Sequence, residues 1–275
     1  GGAMGINTWI AIIFVYYLLA TLFPIDKIIG RFYPIFGAAL LFMAIGIMIA
    51  LFVNHPPLPE MWKGFGVKYD RNPIFPMMFI SIACGAISGF HATQSPLMAR
   101  CITDEGKGRV VFYGAMVSEG IVALIWAAAA TAYFGEHGTD FTAAQIVLDI
   151  SKTWLGKVGG ILAVVGVVAA PISSGDTALR SARLIVADFF KIRQKSIGSR
   201  LAISIPLFVI TFFALFYSLR DKEGFNIIWR YFAWSNQVLS VFTLWAVTVY
   251  LQSRGKNILV TLIPAMFMST VTCVY

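Results

Sequence analysis

The sequence has few charged side chains for its length: Asp, Glu, Lys and Arg together make up 12% of the 275 residues. Hydrophobic residues make up 59%, and the mean hydropathy is +0.79. This is more apolar surface than the core of one soluble domain of this size can bury. Apolar stretches recur along the whole length, which excludes a soluble enzyme with a single membrane anchor. The chain is therefore predicted to be membrane domain throughout.

Cysteine is scarce, and the familiar catalytic motifs are absent. Cys84, Cys101 and Cys273 form neither a C-x-x-C pair nor a metal-ligand spacing. The sequence contains no H-E-x-x-H, no G-x-S-x-G, no phosphate-binding G-x-x-x-x-G-K and no T-V-G-Y-G filter. These absences weigh against a membrane enzyme and a potassium-type channel. No metal and no cofactor are expected.

The net charge of +8 does not indicate a nucleic-acid partner. The Lys and Arg residues lie in short connections between apolar stretches, and they form no basic domain or arm. Such a distribution is typical of charges that orient a protein in a bilayer. The lipid bilayer, and not nucleic acid, is the expected partner.

Eight apolar windows are long enough to cross about 30 Å of hydrocarbon at about 1.5 Å per residue. They lie at 7–23, 34–53, 74–90, 109–134, 156–173, 200–219, 227–251 and 257–275. Strands of a membrane barrel would alternate apolar and polar residues, and these windows do not. We predict an all-α, multi-pass transmembrane bundle forming one domain over 1–275. Because the chain opens on Gly1 without an initiator methionine and stops inside an apolar stretch, we expect it to be a fragment of a longer protein.

Two of the segments are predicted to be discontinuous. The third runs into the polar string 91–96, where Pro96 is expected to prevent a continuous helix, and the fifth meets Pro171 before the polar string 173–177. Interrupted helices often bind substrates and ions in transporters, because freed carbonyls and helix ends supply ligands. The polar ends of two short helices explain these strings equally well. We predict non-helical backbone near Gly89 and Pro171.

The candidate substrate- or cation-binding residues are polar side chains of these strings and of the seventh segment. They are Ser88, His91, Thr93, Gln94, Ser95, Ser173, Ser174, Asp176, Thr177, Asn236 and Gln237. Oxygen-bearing side chains within five residues can converge where proline distorts a helix. His91 is suited to binding an anion or relaying a proton, and equally to a satisfied interfacial role. Adjacent carboxamides in an apolar segment require either interhelical bonds or a cavity.

Residues 176–190 form an amphipathic pattern. One face carries Asp176, Arg180 and Arg183, and the other carries Leu179, Ala182, Val186 and Phe190. This pattern predicts a helix lying on the cytoplasmic surface of the membrane. Asp176 and Arg180, four residues apart, are able to pair there, which would explain Asp176 without any ligand.

Glu119 is the candidate for proton coupling. It lies ten residues after Arg109, about 15 Å along the helix axis and so near mid-membrane. An acid at that depth is costly unless it faces protein or water. The small neighbours Ala115 and Ala123 indicate that this face packs against another helix. A proton carrier and a neutral, hydrogen-bonded structural residue are equally compatible with this position.

Five ordered strings closely resemble the carbon starvation protein A family. They are Arg31–Ala38, Gly85–Arg100, Val111–Gly120, Ala170–Arg183 and Arg230–Gln237. The resemblance implies a multi-pass carrier of the bacterial inner membrane that takes up peptides or pyruvate when better carbon sources run out. It also implies coupling to a cation gradient, expected to be protons, and a distant relation to the inverted-repeat five-plus-five fold.

The resemblance therefore implies four partners: a small-molecule substrate, a coupling cation, the bilayer and the remaining helices of the full-length protein. Two other classes of protein stay open on the sequence alone. A membrane nutrient receptor would bind the same substrate without moving it, and a channel would conduct without uphill transport.

Overall fold

The computed structural model describes residues 5–22, 33–58, 60, 74–137, 143–163, 165–166, 169–220 and 224–275. Within these residues the regular structure is helical, and no strand occurs among them. In lipid the backbone must satisfy its own hydrogen bonds, and a helix does so within one segment.

Ten α-helices follow one another in the described part of the chain. They are α1 (Ile6–Leu22), α2 (Tyr33–Asn54), α3 (Phe79–Ala86), α4 (Gly89–Ala99), α5 (Ala115–His137), α6 (Ala143–Ala163), α7 (Ala169–Phe189), α8 (Ile197–Arg220), α9 (Gly224–Ser253) and α10 (Leu259–Val274). Wider, π-type turns at Ile74–Met78 and Arg109–Gly114 precede α3 and α5, and a short 3-10 turn spans Glu105–Lys107.

Five helical stretches are long and apolar enough to cross a membrane. They are Pro34–Asn54, Ile74–Pro96, Glu105–Phe134, Ile197–Ser218 and Gly224–Ser253. The apolar helices Thr8–Ala20 and Leu259–Val274 are shorter. Each of these seven coincides with a predicted segment, which confirms the prediction of a multi-pass helical membrane protein.

The predicted segment 156–173 begins where the chain changes direction, and its continuity stays a prediction because residues 164 and 167–168 lie outside the described part of the structure. Helix α6 begins at Ala143 and turns at Gly156, where φ is 64° and ψ is −149°. The two limbs of α6 then contact each other, since a Cβ placed on Gly159 would collide with the carbonyl oxygen of Ser151. Residues eight apart in a straight helix are separated by about 12 Å. The predicted start at residue 156 therefore coincides with the fold-back, whereas residues 143–155, predicted to be part of a connection, are helical.

The backbone contacts divide the chain into two compact units. The first unit joins residues 1–58 with 125–214. In it α2 packs against α6 and α7, and α1 packs against α7. Its buried core consists of Met43, Ile47, Ala129, Tyr133, Ile146, Ile150 and Ala163.

The second unit joins residues 59–124 with 215–275. Helix α9 is its scaffold, because α3, α4 and α10 all pack against it. The buried side chains Ile80, Ala83, Met268 and Val271 form the core between α3 and α10. Phe79 and Phe267 add an edge-to-face contact with ring centroids 5.2 Å apart.

Helix α7 corrects the prediction of an interruption after Pro171. The helix runs without a break from Ala169 to Phe189, so the string 173–177 is helical. Pro171 falls in the first turn, where a backbone N–H has no partner within the helix and its loss costs little. The interruption predicted after the proline is therefore absent from Ala169–Phe189.

The position of α7 on the cytoplasmic surface of the membrane stays a prediction. Arg183, on the predicted polar face, is buried, with 7% of its surface exposed, and Ser181 is also buried. The apolar side chains of Ile185 and Phe189 are exposed, the latter at 79%. The polar face of the helix therefore packs against protein at Arg183.

Candidate functional site

The third predicted span is interrupted between α3 and α4. Ile87 (φ −138°, ψ 88°) leaves the helical region, and Ser88 (φ −90°, ψ 134°) is extended. The prediction of non-helical backbone near Gly89 is confirmed. The prediction that Pro96 ends the helix is wrong, because Pro96 lies inside α4 and the string 91–96 is helical. The interruption precedes the polar string.

Ser88 and Asn236 cap the beginning of α4. The backbone N–H of Phe90 donates to Asn236 Oδ1 at 2.9 Å and to Ser88 Oγ at 3.2 Å. Asn236 Nδ2 donates in turn to Ser88 Oγ at 2.9 Å. The first N–H groups of a helix have no partner within it, so these oxygens satisfy a donor that lipid would leave unpaired.

Gln237 satisfies the end of α3. This side chain is fully buried, at 0% exposure. With its carboxamide oriented so that both ends are satisfied, Nε2 donates to the carbonyl of Ile87 at 3.1 Å and to Ser240 Oγ at 3.2 Å, while Oε1 accepts from the backbone N–H of Cys84 at 3.1 Å. Adjacent residues of α9 thus bond to opposite sides of one interruption. The interhelical bonds expected of buried carboxamides are present.

Gly89 is required by the close approach of α4 to α9. A Cβ at this position would collide with the carbonyl oxygen of Asn236 and lie 2.8 Å from the Cβ of Leu239. Such a contact is too short for any side chain, so glycine permits the hydrogen bonds just described.

His91 and Glu119 form a hydrogen-bonded pair. His91 Nε2, in the first turn of α4, lies 2.5 Å from Glu119 Oε2 on α5. Glu119 is at the middle of the 30-residue helical stretch Glu105–Phe134. The His91 side chain is 29% exposed and the Glu119 side chain is 46% exposed, so both are partly accessible. A histidine bonded to a carboxylate at mid-span has the chemistry of a proton relay.

The hydrogen bond to Glu119 uses one ring nitrogen of His91, and the second nitrogen has a different environment. Nδ1 is buried and has no hydrogen-bond partner among the described residues. One turn after Glu119, α5 contacts α3, because a Cβ on Gly85 would lie 2.7 Å from the Cβ of Ala123. The predicted helix contact next to Glu119 is confirmed at Ala123, whereas Ala115 is exposed.

The other candidates on α4 are Thr93, Gln94 and Ser95. Thr93 Oγ1 donates to the carbonyl of Phe90 in its own helix at 2.9 Å. Gln94 and Ser95 are half-buried. His91, Gln94 and Ser95 share one face, since residues three and four apart are neighbours on a helix.

The candidates on α7 stay predictions. Ser174 is exposed and Thr177 is half-buried, both within the continuous helix. The side chains of Ser173 and Asp176 lie outside the described part of the structure. Among the residues that the structure does describe, no group of three or more His, Cys, Asp and Glu side chains is placed to hold a metal ion.

One polar pair in the first unit was not predicted. Tyr133 on α5 donates its hydroxyl to Asp149 Oδ2 on α6 at 3.2 Å. The sequence signal was Asp149 within the apolar run 146–150. The predicted fifth segment begins only at residue 156, so Asp149 falls in a predicted connection.

The fold and this site define a polytopic helical membrane protein with one polar, interrupted span. The profile of the carbon starvation protein CstA family matches residues 3–158 and 137–274, and the chain belongs to this family. This confirms the resemblance seen in the five strings. No solved structure matches the chain.

Several relatives have names that describe transport. The chain is 24% identical to the peptide transporter CstA of Helicobacter pylori over 98% of its own length and 48% of that protein. It is 37% identical to the pyruvate/proton symporter BtsT of Escherichia coli over 32% of its length and 13% of that protein. An uncharacterized membrane protein of Haemophilus influenzae is 48% identical over 47% of the chain and 40% of the relative. The chain thus spans about half the length, or less, of these relatives.

Proposed function

We propose that this chain is part of a secondary active transporter that takes up peptides or pyruvate-like carbon sources across the bacterial inner membrane together with protons. Membership of the CstA family and the names of the relatives support transport. The observation that carries the proposal of proton coupling is the bond between His91 and Glu119 at mid-span.

The pair of His91 and Glu119 carries one proton in each transport cycle. Glu119 takes up a proton from one side of the membrane, which removes the charge that lipid disfavours. The proton is shared along the hydrogen bond between Glu119 Oε2 and His91 Nε2, and its transfer to the nitrogen forms an imidazolium paired with the carboxylate. The proton returns to the carboxylate and leaves from it when the protein opens to the other side, so both residues regain their starting protonation state over a cycle.

Substrate binding is coupled to this cycle through the charge on His91. A protonated imidazole attracts the carboxylate of a pyruvate-like acid or of a peptide C-terminus, and a neutral imidazole does so only weakly. Gln94 and Ser95 share the face of His91 and supply further hydrogen bonds. Substrate and proton therefore bind together and leave together, which is the requirement for symport.

The test is substrate uptake by full-length protein in proteoliposomes with an imposed pH gradient. Glu119→Gln keeps the size and hydrogen bonding of the neutral acid but cannot lose a proton. We expect it to abolish uphill uptake while binding and counterflow exchange persist. The matched control is Glu105→Gln, which removes an exposed acid of the 3-10 turn before α5 and is expected to leave uptake unchanged.

Normal concentrative uptake by Glu119→Gln at several pH values would end the proton-carrier proposal and leave the residue a packing role. Binding without accumulation in the wild-type protein would identify a receptor. Flux that no gradient of a second ion drives uphill would identify a channel.

A further inference from the structure

The fold-back of α6 at Gly156 creates a cleft in the first unit. The cleft has a volume of about 710 Å³ and is lined by both limbs of the helix and by the turn that follows. Its lining residues are Lys152, Gly156, Lys157, Gly160, Ile161 and Val165. Gly160 leaves room for the stem of Lys152, because a Cβ there would lie 3.2 Å from Lys152 Cγ. The two limbs thus place the side chains of two lysines along one apolar hollow.

Neither lysine has an acidic partner in the part of the unit that the structure describes. Both side chains are exposed, and no described acidic side chain forms an ion pair with either of them. Asp149, one turn before Lys152, is bonded to Tyr133. The cleft therefore offers two positive charges next to an apolar surface. A ligand with an anionic head and an apolar tail complements this combination.

We propose that this cleft, lined by Lys152 and Lys157, binds an anionic phospholipid. The phosphate lies between the two ammonium groups, and an acyl chain lies along Ile161 and Val165. A small anion would use the lysines but leave the apolar lining exposed, whereas a phospholipid covers both. The surrounding bilayer supplies the ligand at high local concentration.

The test measures retention of phosphatidylglycerol by full-length protein in neutral detergent, using native mass spectrometry and the midpoint of thermal unfolding. Lys152→Gln together with Lys157→Gln is expected to weaken retention about thirty-fold, as two lysines near a phosphate contribute comparably. The matched control is Arg193→Gln together with Lys195→Gln, which removes two exposed cations between α7 and α8 in the same unit. It is expected to retain the lipid like the wild type.

Three further measurements decide between occupants. Lys152→Arg with Lys157→Arg keeps the charges and is expected to retain the lipid, even if the glutamine variant fails to fold. Phosphatidylglycerol with a photoreactive acyl chain is expected to cross-link to residues 157–166. Phosphatidylcholine and inorganic phosphate are expected to leave the unfolding midpoint unchanged.

Equal retention by the glutamine variant, or an equal loss in the control, would overturn the proposal. Stabilisation by inorganic phosphate alone would indicate a small-anion site. Absence of any retained phosphatidylglycerol in the wild type would indicate that another part of the full-length protein covers the cleft.

Discussion

The chain interrupts its helices in two different ways, at Ser88 in the second unit and at Gly156 in the first. At Ser88 the freed backbone groups are satisfied by side chains of α9, namely Asn236 and Gln237. At Gly156 a single glycine adopts a backbone conformation closed to other residues. The first interruption depends on polar partners distant in sequence, and the second depends on one local torsion.

This difference accounts for the position of the His91–Glu119 hydrogen bond beside the first interruption. Polar groups that satisfy a broken helix make a region where His91 and Glu119 also find hydrogen-bond partners. The fold-back at Gly156 instead exposes two charges on the surface of its unit. The comparison leads to three predictions about stability.

Replacing Asn236 by leucine should have the largest effect. The variant removes the bonds of Asn236 to Ser88 Oγ and to the Phe90 N–H, which keeps only its longer bond to Ser88 Oγ. Poorly satisfied polar groups in an apolar setting are costly. We expect the free energy of unfolding to fall by about 3 kcal/mol, measured by denaturation in detergent. Ser235→Ala, an exposed neighbour on the same helix, is the control. A loss no larger than that of the control would show that Asn236 does not stabilise the interruption.

Replacing Gly156 by alanine should have an intermediate effect. A Cβ meets no neighbouring atom there, so the cost comes only from the backbone conformation with φ of 64° and ψ of −149°. We expect a loss of about 2 kcal/mol. Gly198→Ala, in the first turn of α8 with open space around it, should be nearly neutral. Unchanged stability of Gly156→Ala would mean that the fold-back does not require a backbone conformation restricted to glycine.

Replacing Pro171 by alanine should have the smallest effect. Because Pro171 lies in the first turn of α7, the change restores an N–H that no helical carbonyl needs. We expect a change below about 1 kcal/mol in either direction. Ala178→Pro in the interior of the same helix should cost about 3 kcal/mol or more. Similar losses in both variants would contradict the placement of Pro171 at the helix start.

The sequence predicted the second unit better than the first. Its spans Ile74–Pro96 and Gly224–Ser253 are long enough to cross a membrane and coincide with predicted segments, and polar residues such as Asn236 lie within them. In the first unit Asp149, Lys152 and Lys157 lower the hydropathy of α6, so its beginning was taken for a connection. Proline was ambiguous in both units, because Pro96 lies inside a helix and Pro171 begins one.

The bonds of the site depend on residues far apart in the sequence. His91 and Glu119 were each recognisable as ionisable groups at membrane depth, but nothing local placed one beside the other. Ser88 and Asn236 are 148 residues apart. Their pairing follows from the packing of α4 on α9, which Gly89 permits.

By itself, the sequence determined that the chain spans a membrane as helices, because apolar length and an unsatisfied backbone in lipid allow little else. It also identified polar residues within the apolar segments, such as Glu119 and Asn236. The tertiary structure alone decided which of those residues meet, where a helix breaks and which face of α7 is buried. Those outcomes depend on contacts between segments distant along the chain, and helical periodicity carries information only about neighbours within a few turns.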